Sequence, residues 1–157
     1  MSAPTRLRAA VLALLALVLT AGPLGPASPA GAAVGDRYEK VARQVTNKAR
    51  ANHDLVKLRR QRCVQRKAER HVRWMARNNS LEHQDLTPVM EDCKLSTAGE
   101  NIAMGYSTGR QVVRAWMRSE GHRANILNKR FRLLGMAAVK DDDGRWWAAQ
   151  VFGRCRR

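Results

Sequence analysis

The chain has 157 residues, of which 45% are hydrophobic, and its 29 Lys and Arg outnumber 13 Asp and Glu to give a net charge of +16. This apolar content can fill a core, which excludes a disordered tail or an acidic solvating protein. The length also disfavours a multidomain enzyme, since a single domain takes roughly 100–200 residues.

The first 32 residues have the pattern of a secretory signal peptide. Arg6 and Arg8 give a basic start, residues 9–19 are apolar, and a Gly/Pro-rich stretch ends in the small residues 30–32. A membrane anchor would need about 20 apolar residues, and this run is shorter and is followed by prolines. We therefore predict an exported protein, cleaved after Ala32 or Ala33, with no transmembrane anchor in the mature chain.

Export changes the interpretation of the three cysteines, Cys63, Cys93 and Cys155. They lack C-x-x-C spacing, so a structural zinc site has no support. In an oxidising compartment two of the three are expected to pair, although three free thiols remain an alternative. We predict a Cys63–Cys93 disulfide, because Cys155 lies in a charged C-terminal sequence with little to hold it.

Helical spacing of apolar residues predicts a first helix over residues 36–52 and a second whose apolar positions fall within 64–76. Residues 78–80 are expected to end the second helix, and residues 81–106 to be irregular. Thr108 and Gln111 then form a capping box that starts a third helix. Its predicted buried face comprises Val112, Val113, Trp116 and Met117, and its end is assigned to Gly121.

The apolar period changes after the third helix. Two short apolar-rich runs, 133–140 and 145–152, flank a loop that ends in Asp143-Gly144, which predicts a β-hairpin. The second run has apolar groups on both faces, so the sheet should be covered on both sides. Early helices and a late antiparallel pair place the chain in the α+β class.

Two histidines and two acids lie in predicted loops or at helix ends: His83, Glu100, Glu120 and His122. Imidazole and carboxylate groups suit zinc and similar ions, and also general acid–base chemistry. A short metal motif such as H-E-x-x-H is absent, so any site must be assembled from distant segments. Spacing alone is weak support, because a histidine outside the core is usually solvated.

Three stretches of the sequence resemble a known family. Residues 99–103 read G-E-N-I-A, residues 116–127 read W-x-x-S-x-G-H-R-x-N-I-L, and Gly135 and Trp147 precede a closing Q-V-F-G. In this order they are similar to the bacterial branch of the CAP superfamily, which comprises cysteine-rich secretory, antigen 5 and pathogenesis-related 1 proteins, or SCP domains. The likeness covers about residues 38–153. It implies a single domain over 33–157, folded as a three-layer α-β-α sandwich around a small antiparallel sheet that includes a third short strand.

The resemblance also implies a cleft lined by a His/Glu tetrad. His83, Glu100 and His122 match three members. Many relatives have the fourth, a glutamate, where this chain has Ser119, and Glu120 follows one residue later, a rotation of about 100° on a helix. Both histidines would present neutral ring nitrogens to a divalent ion such as zinc, and Glu100 would accept the second N–H of one ring.

An alternative assigns the polar residues of the cleft a purely structural role. Glu100 and Asn101 would then only tie the long loop to the core through buried hydrogen bonds, and Asn125 would be a similar buried tie. The remaining histidines match no family position, and His53 is expected to be exposed and His71 to lie on a helix flank. All four tryptophans are expected in the core: Trp74, Trp116, Trp146 and Trp147.

Three classes of function remain open from the sequence. A binding module for a divalent metal, an apolar small molecule or an envelope partner is favoured, since the family is not defined by a reaction and some relatives are associated with sterol and fatty-acid binding. The alternative is a peptidase- or esterase-like hydrolase that uses a metal or Ser119 and His122, but no oxyanion hole is evident.

The third class is a polyanion-binding surface formed by a cluster of cations. Anionic lipid or an anionic envelope polymer is the expected partner, because the stacking aromatics of a single-strand nucleic-acid binder are missing. The favoured interpretation of the cluster, however, is an arginine-rich solvated surface without a dedicated partner. The cluster comprises Arg59, Arg60, Arg62, Arg66, Lys67, Arg70, Arg73 and Arg77.

Overall fold

The computed structural model describes residues 29–156, with side chains from residue 35. The predicted signal peptide therefore lies outside the described residues except for 29–32. Five helices and four strands succeed one another in this part of the chain: α1 Pro29–Ala51, β1 Arg59–Arg60, α2 Arg62–Asn78, α3 Thr87–Asp92, β2 Leu95–Met104, α4 Gly109–Arg118, α5 Glu120–Ile126, β3 Leu133–Lys140 and β4 Trp146–Cys155. None of the described helices combines the length and apolar character that a bilayer crossing requires.

The four strands form one sheet in the order β1-β3-β4-β2. The predicted hairpin is confirmed, with β3 and β4 antiparallel, and β2 lies antiparallel on the other side of β4. The two-residue β1 runs parallel to β3, so the sheet is mixed rather than purely antiparallel. Helices α1, α4 and α5 cover one face and α2 and α3 the other. This confirms the α+β class and the α-β-α layering.

The core is divided by the sheet into two apolar clusters. Alternate residues of a strand point to opposite faces, and in β3 Leu134 and Met136 pack with α1 and α4 while Leu133 and Ala137 pack with α2. Both faces are apolar because helices cover both. The predicted burial of both faces of the hairpin is therefore confirmed.

The prediction that residues 81–106 are irregular is wrong. This stretch contains α3 and the ten-residue β2, of which the family resemblance implied only a short strand. Residues 99–103 are buried in succession, so they show no alternation of polar and apolar side chains. A strand covered on both faces lacks the period-2 signal on which sequence interpretation depends.

The third predicted helix begins as expected, because the Thr108 side chain accepts a hydrogen bond from the Gln111 backbone N–H. Its predicted end is wrong. The helix stops at Arg118, where the extended backbone of Ser119 (φ −100°, ψ 126°) separates α4 from α5. Gly121 lies inside α5. The 100° rotation assumed between positions 119 and 120 therefore does not apply, since a new helix starts there.

A fully buried cation, Arg50, joins α1 to the segments around α5. Its guanidinium donates hydrogen bonds to the backbone carbonyls of Val56, Ile126, Asn128 and Phe131, at 2.7–3.4 Å. Burial lowers the pKa of Arg50, because desolvation disfavours its charged form. No described carboxylate lies within 4 Å of it, so carbonyl dipoles alone compensate the charge.

The structure confirms the predicted disulfide between Cys63, in the first turn of α2, and Cys93, directly after α3. The reason given for excluding Cys155 was wrong. Cys155 ends β4 opposite Leu95, and the backbone N–H of Arg156 donates to Lys94, so this end of the chain is held by the sheet. Cys155 is an exposed free thiol. On the chain-entropy account, a cross-link spanning 30 residues contributes about 3–4 kcal/mol.

Candidate functional site

Glu100 lies at the centre of the candidate site, on β2, and is only 5% exposed. Its Oε1 accepts hydrogen bonds from His83 Nδ1 at 2.7 Å and from the Gln84 backbone N–H at 3.2 Å. Its Oε2 accepts from the Gln84 side-chain amide, and His71 Nε2 lies 3.9 Å from it. A buried carboxylate held by several donors has a fixed position.

His83 lies in the loop between α2 and α3, and 59% of its side chain is exposed. The backbone N–H and the side-chain NH₂ of Gln84 both donate to Glu100. The carboxylate has no proton to donate, so it accepts from each of its partners. The Nδ1 of His83 therefore carries a proton and donates it to Glu100. Its Nε2 makes no hydrogen bond to any described residue.

His122 is a half-buried residue of α5, and its Nδ1 lies 2.9 Å from Ser119 Oγ. The pKa of His122 is below its ordinary value of 6.5, because burial disfavours the charged ring and His83 repels it. The ring is therefore neutral at pH 7. Within the described part of the chain, Nε2 of His122 also has no hydrogen-bond partner.

Two side-chain amides, those of Asn101 and Asn125, attach α5 to β2. Asn125 Nδ2 donates to the Glu100 carbonyl at 2.8 Å and to Asn101 Oδ1 at 3.0 Å. Asn101 Nδ2 in turn donates to the His122 carbonyl at 3.1 Å and to Gln150 Oε1 at 3.3 Å. The expected tie by Asn125 is confirmed. Glu100 and Asn101 also form hydrogen bonds of the kind that the structural alternative expects, Glu100 with the His83 loop and Asn101 with α5.

Gly99, the glycine of the G-E-N-I-A motif, allows this close approach of α5. A Cβ at this position would lie 2.8 Å from the Phe131 ring and 2.9 Å from Asn125 Oδ1. Those distances are shorter than van der Waals contact, so any larger residue would displace the amide network. The glycine is thus a packing requirement of the site.

Glu120, the uncertain fourth member of the tetrad, is exposed at the start of α5 and makes no hydrogen bond with a described side chain. Within residues 29–156, no group of three or more His, Cys, Asp or Glu side chains is arranged to hold a metal ion. Hydrogen bonds thus join His83 to Glu100 and His122 to Ser119. The amides of Asn101 and Asn125 connect α5 to β2, whereas Glu120 takes part in none of these bonds.

Sequence reasoning missed Gln84 and His71. His71 is buried rather than on a helix flank; it stacks on Trp74 (centroids 5.8 Å apart) and donates to the Glu82 carbonyl at 2.8 Å. Its position among the apolar residues of α2 was the available signal, whereas nothing in the sequence marks Gln84.

Trp74 is 39% exposed, so its assignment to the core is wrong.

A groove of about 450 Å³ adjoins the site. It lies between α2 and the loop that carries His83, and Trp74 forms its exposed aromatic wall. The other lining residues are Arg70, His71, Glu82, His83 and Gln84. A small molecule in this groove would therefore contact the exposed edge of the candidate site.

The sequence matches a family profile and a curated relative. The profile of the cysteine-rich secretory protein family, CAP, matches residues 43–152. The uncharacterized protein YkwD of Bacillus subtilis (strain 168) is 37% identical over 124 residues, which are 74% of this chain and 48% of that protein. The chain thus spans about half the length of this relative.

Solved structures show the same fold. An extracellular protein containing an SCP domain, from Bacillus anthracis str. Ames, has a TM-score of 0.71 and 30% identity over 83% of this chain and 45% of its own. NaASP2, crystallised with Zn²⁺, has a TM-score of 0.54 over 77% of this chain and 79% of its own, and at 11% identity it shows the fold alone. Profile, relative and fold agree, and the chain therefore belongs to the cysteine-rich secretory protein (CAP) family.

Proposed function

We propose that the protein is an exported CAP-domain binding module whose cleft holds a divalent cation through Nε2 of His83 and Nε2 of His122. One observation carries the proposal: each ring is bound through Nδ1, by Glu100 or by Ser119, and each Nε2 is without a hydrogen-bond partner among the described residues. Metal-binding histidines typically have their second nitrogen oriented in this way.

Zinc is the ion that suits these donors best, because neutral imidazole is one of its preferred ligands. Two protein ligands leave coordination positions for water or for a bound molecule, which favours a binding role over a closed structural site. The groove beside His83 has room for such a molecule. Bound zinc would supply a Lewis-acidic centre for an oxygen or nitrogen donor of that ligand.

Export is supported by the sequence of residues 1–32 and by the extracellular neighbour from Bacillus anthracis. The ion is supported by the chemistry of the two rings, and a protein of the same fold, NaASP2, has been crystallised with Zn²⁺. Calorimetric titration of zinc into the wild-type protein, His83→Ala and His122→Ala tests the proposal. Three identical isotherms would reject it.

The lowered pKa of His122 makes a prediction about pH. Protons compete with a metal for the ring only near and below the pKa, so a pKa below 6.5 shifts this competition toward acid. We expect zinc affinity to change little from about pH 8 to pH 7 and to fall steeply below about pH 6. Zinc titrations at stepped pH measure this, and a steep loss already above pH 7 would contradict it.

A hydrolase is the second candidate, because Ser119 Oγ lies 2.9 Å from the neutral ring of His122. As a general base, Nδ1 of His122 would accept the Ser119 proton, and Nε2 would then carry the ring proton. Ion binding through Nε2 requires the opposite arrangement, in which Nδ1–H donates to Ser119. The tautomer of His122 therefore distinguishes the two functions.

The variant Ser119→Ala is expected to weaken zinc binding about tenfold, because it removes the group that orients His122. Nitrogen-15 NMR of the wild-type imidazole should show the proton on Nδ1. A proton on Nε2, together with peptide or ester hydrolysis that disappears in Ser119→Ala, would instead establish the hydrolase. If Ser119→Ala hydrolysed the substrate as fast as the wild type, Ser119 would not be the nucleophile.

A further inference from the structure

Five arginines form a single row along the outward face of α2, which we name the arginine stripe: Arg62, Arg66, Arg70, Arg73 and Arg77. All five are exposed. At about 100° per residue they fall within an arc of about 80°, and from first to last they extend about 22 Å along the helix. The row is therefore straight and narrow, with nearly one cation per helical turn.

The stripe is unpaired in the described part of the chain. None of its guanidinium groups lies within 4 Å of a carboxylate. The acids around it have other hydrogen-bond partners: Glu69 accepts from Gln65, Asp92 binds Lys67, and Glu82 accepts from Ser80. Asp92 also lies in the field of the stripe, since Arg70 contributes, after Lys67, to lowering the pKa of that carboxyl.

Lys67 belonged to the predicted cationic cluster, but it is buried by its pairing with Asp92 and is not part of the exposed stripe. The cations that α2 presents to solvent are therefore all arginines. Their planar guanidinium groups differ from ammonium groups in their ability to form two parallel hydrogen bonds to one anion.

Such a row opposes helix formation. Like charges three or four residues apart on a helix repel each other, and the stripe contains four such neighbouring pairs in succession. The apolar face of α2, which includes Val64, Val72 and Met75, packs on the sheet and keeps the helix folded despite this repulsion. An anionic polymer bound along the stripe would offset this repulsion, because each guanidinium would then lie beside a negative charge.

We propose that the arginine stripe binds a linear polymer that carries repeating phosphate groups. Each planar guanidinium can form two parallel hydrogen bonds to one phosphate, a geometry that an ammonium group does not offer. A row with one cation per turn suits a chain with one charge per repeat. This proposal uses none of the residues assigned to the ion and stands independently of it.

Two other polyanionic partners fit the stripe less well. A membrane surface would be bound more firmly with apolar side chains inserted beside the cations, but on α2 only Trp74 is available for this, because the apolar face of the helix is buried against the sheet. A single-stranded nucleic acid would require several aromatic side chains for stacking. Trp74 is the one exposed aromatic residue of α2.

The test compares two variants that lose the same charge. Arg66→Gln/Arg70→Gln/Arg73→Gln removes the middle of the stripe. The control Arg110→Gln/Arg114→Gln/Arg118→Gln removes three exposed arginines from α4, which lie four residues apart and so also share one helix face. Binding of long-chain inorganic polyphosphate is measured by fluorescence anisotropy at several salt concentrations.

We expect the stripe variant to lose at least about tenfold in affinity and its log–log salt slope to shrink by about 2, while the control loses less than about threefold. A third variant, Arg66→Lys/Arg70→Lys/Arg73→Lys, keeps the charge and the helix propensity and should show an intermediate loss. It keeps the test valid if the Gln variant misfolds.

Three results would overturn the proposal. Equal losses in the stripe and control variants would mean that net charge alone attracts the polymer. Tighter, stripe-dependent binding to phosphatidylglycerol vesicles would assign the stripe to a membrane. Tighter, stripe-dependent binding to oligo(dT) at the same salt concentration would assign it to nucleic acid.

Discussion

Zinc is expected to bind the mature chain at one site, and His83→Ala or His122→Ala should each weaken this binding by at least about a hundredfold. Loss of an orienting partner alone typically costs 10–100-fold in metal affinity, and here one of only two protein ligands is removed. Calorimetric titration at about pH 7.5 measures the effect. The background should carry Cys155→Ser, because the exposed thiol could itself bind zinc.

The matched control for this experiment is His53→Ala. His53 is exposed after α1, and its ring is bonded to the Ala49 carbonyl, far along the chain from the candidate site. Its removal should leave the isotherm unchanged. Glu100→Gln should lower the affinity to a smaller extent than loss of either ring, since the amide keeps one acceptor oxygen for His83. A loss that is equal in all variants, His53→Ala included, would contradict the two-histidine site.

The second large effect is expected at Arg50. Arg50→Met should lower the free energy of unfolding by about 3–5 kcal/mol, because it leaves buried carbonyls, including those of Ile126 and Phe131, without a donor. Methionine keeps much of the aliphatic volume, so the loss reports mainly on the hydrogen bonds. Urea unfolding followed by tryptophan fluorescence measures it.

Two further variants make the Arg50 experiment specific. Arg114→Met changes an exposed arginine of α4 and should alter stability by no more than about 0.5 kcal/mol. Arg50→Lys retains the charge with fewer donors in a different geometry and should be intermediate. Replacing buried charges by apolar groups stabilises some proteins. An unchanged or increased stability of Arg50→Met would show that the carbonyl bonds do not compensate the desolvation of the guanidinium.

The fold was predictable from the sequence where the signal is local. The capping pair Thr108 and Gln111 and the Asp143-Gly144 turn act between residues a few positions apart, so they identified the start of α4 and the β3–β4 hairpin. The strand β2 was missed because its residues are buried in succession, and the break at Ser119 because Gly121 offered a more obvious helix end.

The candidate site was predictable only through the family resemblance. His83 and Glu100 are separated by 17 residues, and His122 lies 22 residues further along, so no helical or strand period connects them. The motif match predicted that they share one site, and the His83–Glu100 hydrogen bond is part of that prediction. It carried no information about Gln84, which binds the same carboxylate. Nor could it assign Glu120, whose position depends on the start of α5.

The amino-acid sequence by itself determined the apolar faces of the helices, the hairpin turn and the excess of arginine, because these depend on residue type and on neighbours along the chain. Only the tertiary structure decided that Cys63 meets Cys93 while Cys155 stays exposed, that Arg50 is enclosed by carbonyls, and which nitrogen of each histidine is bonded. Those outcomes depend on groups from distant segments, and only the packing of helices on both faces of the sheet brings such groups within hydrogen-bonding distance.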